Sequence, residues 1–180
     1  MRGLRGLSNS ARSILGSESL SDKGVEYAQS EFDALSVFDC GPVYGLDRRC
    51  LLSPWSYDGF HNELGSEYCF CWGRRSSSDG IDAFALSHVI LDEAHLLKFG
   101  VAPEVRRQGV GERLMRYCID EFRQMAVRQV VLEVRRSNRP ARTFYHKIGF
   151  VAISVRRGYY GPEDGHPQES EDAILYSLTL

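Results

Sequence analysis

Between Glu93 and Val134 the hydrophobic period of the chain changes twice. "EAHLLKFGV" and "QVVLEV" are short apolar runs of strand character. Between them Gly111, Leu114, Met115, Cys118, Ile119, Phe122 and Met125 recur at helical spacing. Glu112, Arg113, Arg116, Asp120 and Gln124 fill the opposite side of that helix. An amphipathic helix set between two strands has one apolar stripe to bury and a sheet to bury it on. The arrangement this demands is a layered α/β domain.

The flanking segments extend the pattern. "CGPVYGLDRRCLLSPWSYDGFHNELGS" reads as short helical pieces broken near Pro54. "EYCFCWG" and "IDAFALSHVI" read as strands joined through the turn-forming "RRSSSDG", and "LDE" links the second of them tightly to "EAHLLKFGV". After "QVVLEV" a second helix is predicted from about Asn138. Ser137 or Asn138 caps it, Pro140 is tolerated in its first turn, and Gly149 ends it. "FVAISVRRG" and "DAILYSLTL" close the chain as strands around the loop "YYGPEDGHPQESE". The antiparallel start and α/β finish predict a mixed sheet with helices on both sides.

A chain of 180 residues suits one domain that buries its own core. Its 43% apolar and 26% charged content is that of a soluble globule, and a net charge of −2 excludes a strongly basic nucleic-acid binder on bulk charge. The charge is uneven, with Lys and Arg dominating residues 102–157 and acids alone charging residues 158–180. That distribution suits an anionic ligand beside a cationic group, or simply two solvated faces. The cysteine count is five, odd and without a C-x-x-C pair, which argues against a disulfide framework or a zinc site and for reduced thiols. The histidines show no metal-binding spacing, so no metal is expected, and no apolar window is long enough to span a membrane. "MRGLRGLSNSARSILGS" has the Arg- and Ser-rich, acid-free composition of an organelle transit peptide. The favoured reading is plainer: residues 1–30 form a disordered extension, and residues 31–180 the domain.

"VRRQGVGERL" joins a strand to the amphipathic helix. A helix start exposes unpaired N–H groups and partial positive charge, so anions settle there. Gly109 and Gly111 let an oxygen-rich ligand reach the backbone, and Arg106 and Arg107 add charge. Neither familiar nucleotide motif fits. Glu112-Arg113 stand where a Walker A loop needs Lys-Ser/Thr, and Leu114 stands where the dinucleotide fingerprint needs its third glycine.

Arg106-Arg107-Gln108-Gly109-Val110-Gly111 does resemble the R/Q-x-x-G-x-G/A signature of the GNAT acetyltransferase superfamily. "LEVRRSNRPARTFYHKIGF", "RRGYY", "EDAILYSLTL" and "SPWSYDGFHNEL" resemble its RimI-like branch, the N-terminal acetyltransferases of a ribosomal-protein alanine. The similarity covers roughly residues 35–180. It implies a single-domain α/β fold with a mixed, mostly antiparallel sheet of about seven strands flanked by helices. It also implies acetyl-CoA as co-substrate, without metal. The coenzyme contacts it implies are Phe99, Gly100 and Val101 on the preceding strand, Arg106, Arg107, Gln108, Gly109, Val110, Gly111 and Glu112 around the turn, and Asn138 and Tyr145 beyond. The implied acceptor is a protein or peptide N-terminus, such as that of a ribosomal protein, met by Trp55, Tyr159 and Tyr160. No direct nucleic-acid or membrane partner is expected, the chain acts as a monomer or weak dimer, and the compartment is cytoplasmic, or an organelle if residues 1–30 are a transit peptide. The chain departs from the branch in its N-terminal extension, its longer "RRSSSDG" hairpin and its longer loop between Tyr160 and Asp172.

Acetyl transfer to an amine needs a neutral nucleophile, a stabilised oxyanion and a proton for the leaving thiolate. Glu133, a carboxylate interrupting an apolar strand, matches the family's proton acceptor, and Tyr145 its proton donor. The same resemblance implies that the Val101 N–H polarises the thioester carbonyl. Both side chains also have ordinary readings. Tyr145 belongs to an apolar stripe with Ala141, Phe144 and Ile148, and Glu133 can pair with Arg135 or Arg156. A terminal α-amine has a reference pKa about 2.5 units below that of lysine, so lysine costs roughly 3.5 kcal/mol more to neutralise. A single carboxylate therefore favours an α-amine. The competing readings are a lysine or small-amine acetyltransferase and a non-catalytic coenzyme-binding module.

Overall fold

A computed structural model describes residues 30–77, 80–161 and 170–180. The expectation for residues 1–30 lies outside these apart from Ser30, as do the acids Glu163, Asp164 and Glu169 of the last loop. The described strands are β1 (Asp33–Leu35), β2 (Cys69–Arg75), β3 (Ile81–Ile90), β4 (Glu93–Val101), β5 (Gln129–Arg135), β6 (Val151–Tyr160) and β7 (Glu171–Thr179). The helices are α1 (Cys40–Cys50), α2 (Tyr57–Leu64), α3 (Val110–Gln124) and α4 (Arg139–Ile148). The seven strands form one sheet in the order β1-β2-β3-β4-β5-β7-β6. All neighbours are antiparallel except β4 and β5, the pair that α3 connects.

Alternation along the strands sends side chains to two cores. Ala83, Ala85, Ala94, Leu96, Val130, Leu132 and Val134 pack under Leu114, Met115, Cys118, Ile119 and Phe122 of α3 and Tyr145 of α4. Phe84, Leu86, Cys71 and Leu35 pack on the other face under Val43 and Leu46 of α1 and Phe60 of α2. The expected helices on both sides are therefore present, and the Val130/Leu132/Val134 face of β5 is the α3 side.

Helix ends follow their sequence signals. Asn138 Oδ1 accepts the Ala141 N–H at 3.1 Å, Pro140 sits in the first turn of α4, and Gly149 ends it at φ 114°. The seven strands are the number the family resemblance implies; β1 is the one that hydrophobic pattern alone does not mark, because its three residues are too few for alternation to register, and it pairs with Cys71–Gly73 of β2. One expectation needs correction: Tyr159 and Tyr160 do not start the last loop but end β6, with Tyr160 paired to Glu171. Tyrosine favours a pleated, half-buried surface, and a register shift between Arg156 and Tyr160, with Gly158 at φ 59°, lets the ladder resume.

Candidate active site

β4 and β5 pair only at Glu93–Gln129, Ala94–Val130 and His95–Val131, then part. Beyond that point β5 keeps its ladder with β7 through Arg135, and β4 keeps its ladder with β3 through Val101. The gap between them is a cleft of about 550 Å³, lined by Leu96–Phe99, Leu132–Arg135, Ser53–Trp55, Tyr145, Tyr159 and Tyr160 among others. The ladder also fixes which backbone groups face it. Ala102 N–H donates to Asp82 C=O, so by antiparallel alternation Gly100 exchanges bonds with Phe84 while Phe99 and Val101 turn their N–H groups toward the parted side.

One end of the cleft adjoins the glycine turn. Gly109, at φ 77°, is the N-cap of α3, and no side chain caps the first turn. A helix start left uncapped presents its N–H groups and dipole to a ligand. Gly111 has a further role that its place in a motif does not reveal. A Cβ there would stand 3.3 Å from Val101 Cγ2 and 3.6 Å from the Phe99 ring, so glycine lets the helix start press on the end of β4. Gly100 likewise leaves room for the Phe84 ring. The side chains of the turn are engaged locally. Arg106 Nε donates to Val101 C=O at 2.9 Å, Gln108 Nε2 to Glu104 C=O at 3.0 Å, and Glu112 pairs with Arg116 and with Lys147 of α4. Arg107 takes a left-handed φ of 62° to make the bend. Any anion held here is therefore gripped by main chain more than by arginine.

Glu133 projects from β5 into the cleft with its side chain 7% exposed. Its Oε2 lies 2.6 Å from His95 Nε2. Arg156 Nη1 stands 2.7 Å from Oε1 as an ion pair, off hydrogen-bonding direction, so Oε1 is buried without a hydrogen bond. The His95 contact, helped by Arg156, holds the carboxyl below its usual range against the effect of burial, and Glu133 is ionised. Of the two arginines weighed as partners, Arg156 takes the role. Arg135 turns instead to Glu171 at 3.2 Å, to Ser53 Oγ at 2.7 Å and to the face of the Tyr160 ring at 4.0 Å.

Tyr145 is the buried member of its helical stripe. Its ring packs at 5.2, 5.5 and 6.4 Å from those of Phe144, Phe150 and Tyr176. Its hydroxyl has no hydrogen-bond partner among the described residues. Burial, reinforced by Tyr160, pushes the phenol well above its ordinary range, so it stays protonated and able to donate. Core packing and cleft lining are thus one position with two duties.

The far wall carries the remaining residues singled out from sequence. The Trp55 ring packs on Phe60 at 5.2 Å, and the Trp55 main-chain N–H donates to Asp47 Oδ2 at 2.8 Å. Tyr159 is 48% exposed and lies under Arg156, while burial pushes Tyr160 up to about 12. Glu171 and Asp172 do not face an incoming cation: Glu171 binds Arg135 and the Ser137 N–H, and Asp172 binds Arg136 and the Gly158 N–H. Sequence reasoning passed over His95, Lys98 and Asp47. His95 and Glu133 carry no spacing signature. A Lys within an apolar strand, as at Lys98, is a signal of the same kind as Glu133. Among the described residues no cluster of His, Cys, Asp and Glu is grouped to hold a metal ion, and no helix is long and apolar enough to cross a membrane.

The site is thus a mixed seven-stranded sheet parted between its parallel strands, with an uncapped glycine-opened helix beside the gap. Residues 42–150 match the acetyltransferase (GNAT) family, and the chain belongs to it. The [ribosomal protein bS18]-alanine N-acetyltransferase of Escherichia coli is 35% identical over 147 residues, spanning 82% of this chain and 95% of that protein. Its Salmonella typhimurium counterpart is 35% identical over 146 residues, spanning 81% and 95%. The crystal structure of the Escherichia coli ribosomal-protein alanine N-acetyltransferase has the same fold, with a TM-score of 0.74 at 33% identity over 82% of this chain and 92% of that one. Arabidopsis thaliana NAA60 in complex with acetyl-CoA shares the fold alone, with a TM-score of 0.71 at 18% identity over 83% and 97%.

Proposed function

We propose that the chain transfers the acetyl group of acetyl-CoA to the N-terminal α-amine of a protein, with the N-terminal alanine of a ribosomal protein as the substrate its relatives' names suggest. The observation that carries this reading is the pairing of opposites in one cleft: an ionised carboxylate, Glu133, and a phenol held protonated, Tyr145. Bound acetyl-CoA supplies an activated acyl group on a thiol leaving group. The N–H groups of residues 109–112 hold its pyrophosphate, helped by the turn formed by Arg106, Arg107 and Gln108, and Asn138 fixes the start of α4 beside it. The Val101 N–H polarises the acyl carbonyl, while Phe99 and Gly100 shape the strand that presents it. Glu133 accepts the proton of the incoming amine. Tyr145 donates its hydroxyl proton toward the departing sulfur. Trp55, Tyr159 and Tyr160 form the aromatic wall along which the peptide end lies.

The lowered Glu133 carboxyl favours an amine that is already near neutrality. A carboxylate held below the usual range is a weak base, adequate for an α-amine and poor for lysine. The reaction belongs in a compartment with ribosomes, the cytoplasm, or an organelle if residues 1–30 act as a transit peptide. Acetyl-CoA and peptides beginning with Ala or Ser, each with free or blocked terminus, test the reading by thiol release. Turnover is expected only with free termini. Turnover confined to lysine side chains, or acetyl-CoA binding with no turnover on any amine, would refute it.

A further inference from the structure

His95 occupies the last paired position before β4 and β5 part, opposite Val131, and Glu133 follows two residues later on the same face of β5. The imidazole therefore stands at the vertex of the cleft, where it reaches the carboxylate from the side. Side-chain exposure rises from 7% at Glu133 to 34% at His95, so the pair spans from the buried cleft to water. A carboxylate with one oxygen fixed by a hydrogen bond of 2.6 Å has little freedom to rotate, and its other oxygen, Oε1, carries no hydrogen bond and faces Arg156 at 2.7 Å. The surrounding charges come from every neighbouring element. His88 on β3 lies directly across from His95 and is engaged by Glu63 of α2. Arg156 of β6 faces Glu133, beside the phenols of Tyr159 and Tyr160. Lys98 of β4 and Arg135 of β5 line the same cleft and are paired with Asp47 and Glu171.

We propose that His95 is a positioning residue for Glu133, holding Oε2 so that Oε1 meets the amine and setting by its own charge how readily Glu133 takes the proton. This rests on the reading of Glu133 as proton acceptor. When the ring is protonated, its positive charge opposes transfer of a proton to the carboxylate. When the ring is neutral with its N–H on Nε2, the hydrogen bond persists and the carboxylate is the stronger acceptor. In the transfer itself one amine N–H bond breaks as one O–H bond forms on Glu133, and His95 gains or loses nothing.

The test is kcat against pH from 5 to 9 for the full chain, with acetyl-CoA and a saturating alanine-starting peptide. His95→Gln, His95→Ala and Glu133→Gln are compared with wild type. A change in the charge of the ring within this range registers as a step in the wild-type profile. His95→Gln keeps an N–H donor without a titrating charge. It should stay within about threefold of wild type at pH 8 and lack the step. His95→Ala should lose about tenfold or more in kcat with the acetyl-CoA KM unchanged, the pattern of a lost transition-state interaction. A residue that merely packed against Glu133 would leave the pH profile unmoved. Wild-type kcat and profile in both His95 variants, with Glu133→Gln inactive, would overturn the proposal and leave Glu133 standing. Wild-type kcat in Glu133→Gln would remove the reading beneath it.

Discussion

Replacing Asp47 with Ala should loosen the acceptor wall of the cleft at a cost that can be worked from the structure. Asp47 is fully buried, and Lys98 Nζ lies 3.4 Å from its Oδ1 with its own side chain 8% exposed. Lys98 also donates to the Ser53 carbonyl at 2.7 Å and sits 4.9 Å from the centre of the Trp55 ring. Together with the Trp55 N–H bond to Asp47, these contacts tie the Ser53–Trp55 segment to α1 and β4. Burial raises the Asp47 carboxyl despite the attraction of Lys98, so the pair is closely balanced while intact. Removing one partner is not balanced, because it takes the Asp47 carboxylate away from a buried ammonium, at about 3–5 kcal/mol. For a chain of this size that lowers Tm by roughly 6–20 °C. Lys98→Met in the Asp47→Ala background removes the buried ammonium as well, and the double variant should be more stable than the sum of the singles by about 1–3 kcal/mol. Chemical denaturation measures both, and peptide KM should rise in Asp47→Ala with acetyl-CoA KM unchanged. A loss under about 1 kcal/mol, the range of an exposed pair, or strict additivity, would refute the reasoning.

Tyr145→Phe should lower kcat by about 10²–10⁴-fold with little change in Tm, because it removes a proton donor and no hydrogen bond among the described residues; stopped-flow thiol release and calorimetry measure the two. Gly111→Val should weaken acetyl-CoA binding by about tenfold or more, since the added carbons meet Val101 and Phe99 and drive the first turn of α3 off β4; isothermal titration measures it, and unchanged affinity would contradict the packing. The Glu133 carboxyl is lowered in the fold from 4.5, chiefly by His95, so its ionised form contributes stability that is present above that pH and lost as pH falls through the folded value. The stability advantage of wild type over Glu133→Gln should therefore shrink as pH drops below about 4.5 in urea titrations, and an advantage constant with pH would count against the pair.

The parts of the fold that were legible in sequence are those where local chemistry is decisive. The stripe of α3, the cap at Asn138, the stop at Gly149 and the Val130/Leu132/Val134 face each follow from spacing or from one residue's conformational preference. Glu133 stood out because a carboxylate breaks an apolar strand, and the family resemblance supplied Tyr145, Trp55, Tyr159 and Tyr160, all of which line one cleft. Contacts between distant segments left no such mark. Glu133 meets His95 across 38 positions, and the choice between Arg135 and Arg156 depends on where β7 lies between β5 and β6. The parting of β4 from β5 depends on register, which pattern alone does not encode. β6 runs two residues beyond "FVAISVRRG" because the register shift around Gly158 falls inside the strand and the ladder resumes at Tyr160, which local pattern does not mark.

The most direct measurement is a crystal structure of the chain with acetyl-CoA and an alanine-starting peptide or a joined analogue of the two. The expected result places the pyrophosphate on the N–H groups of residues 109–112, the acyl carbonyl at the Val101 N–H, and the sulfur within hydrogen-bond reach of the Tyr145 hydroxyl, with the amine on the Glu133 side. A carrier bound elsewhere, or Glu133 and Tyr145 turned away from the reacting atoms, would contradict it.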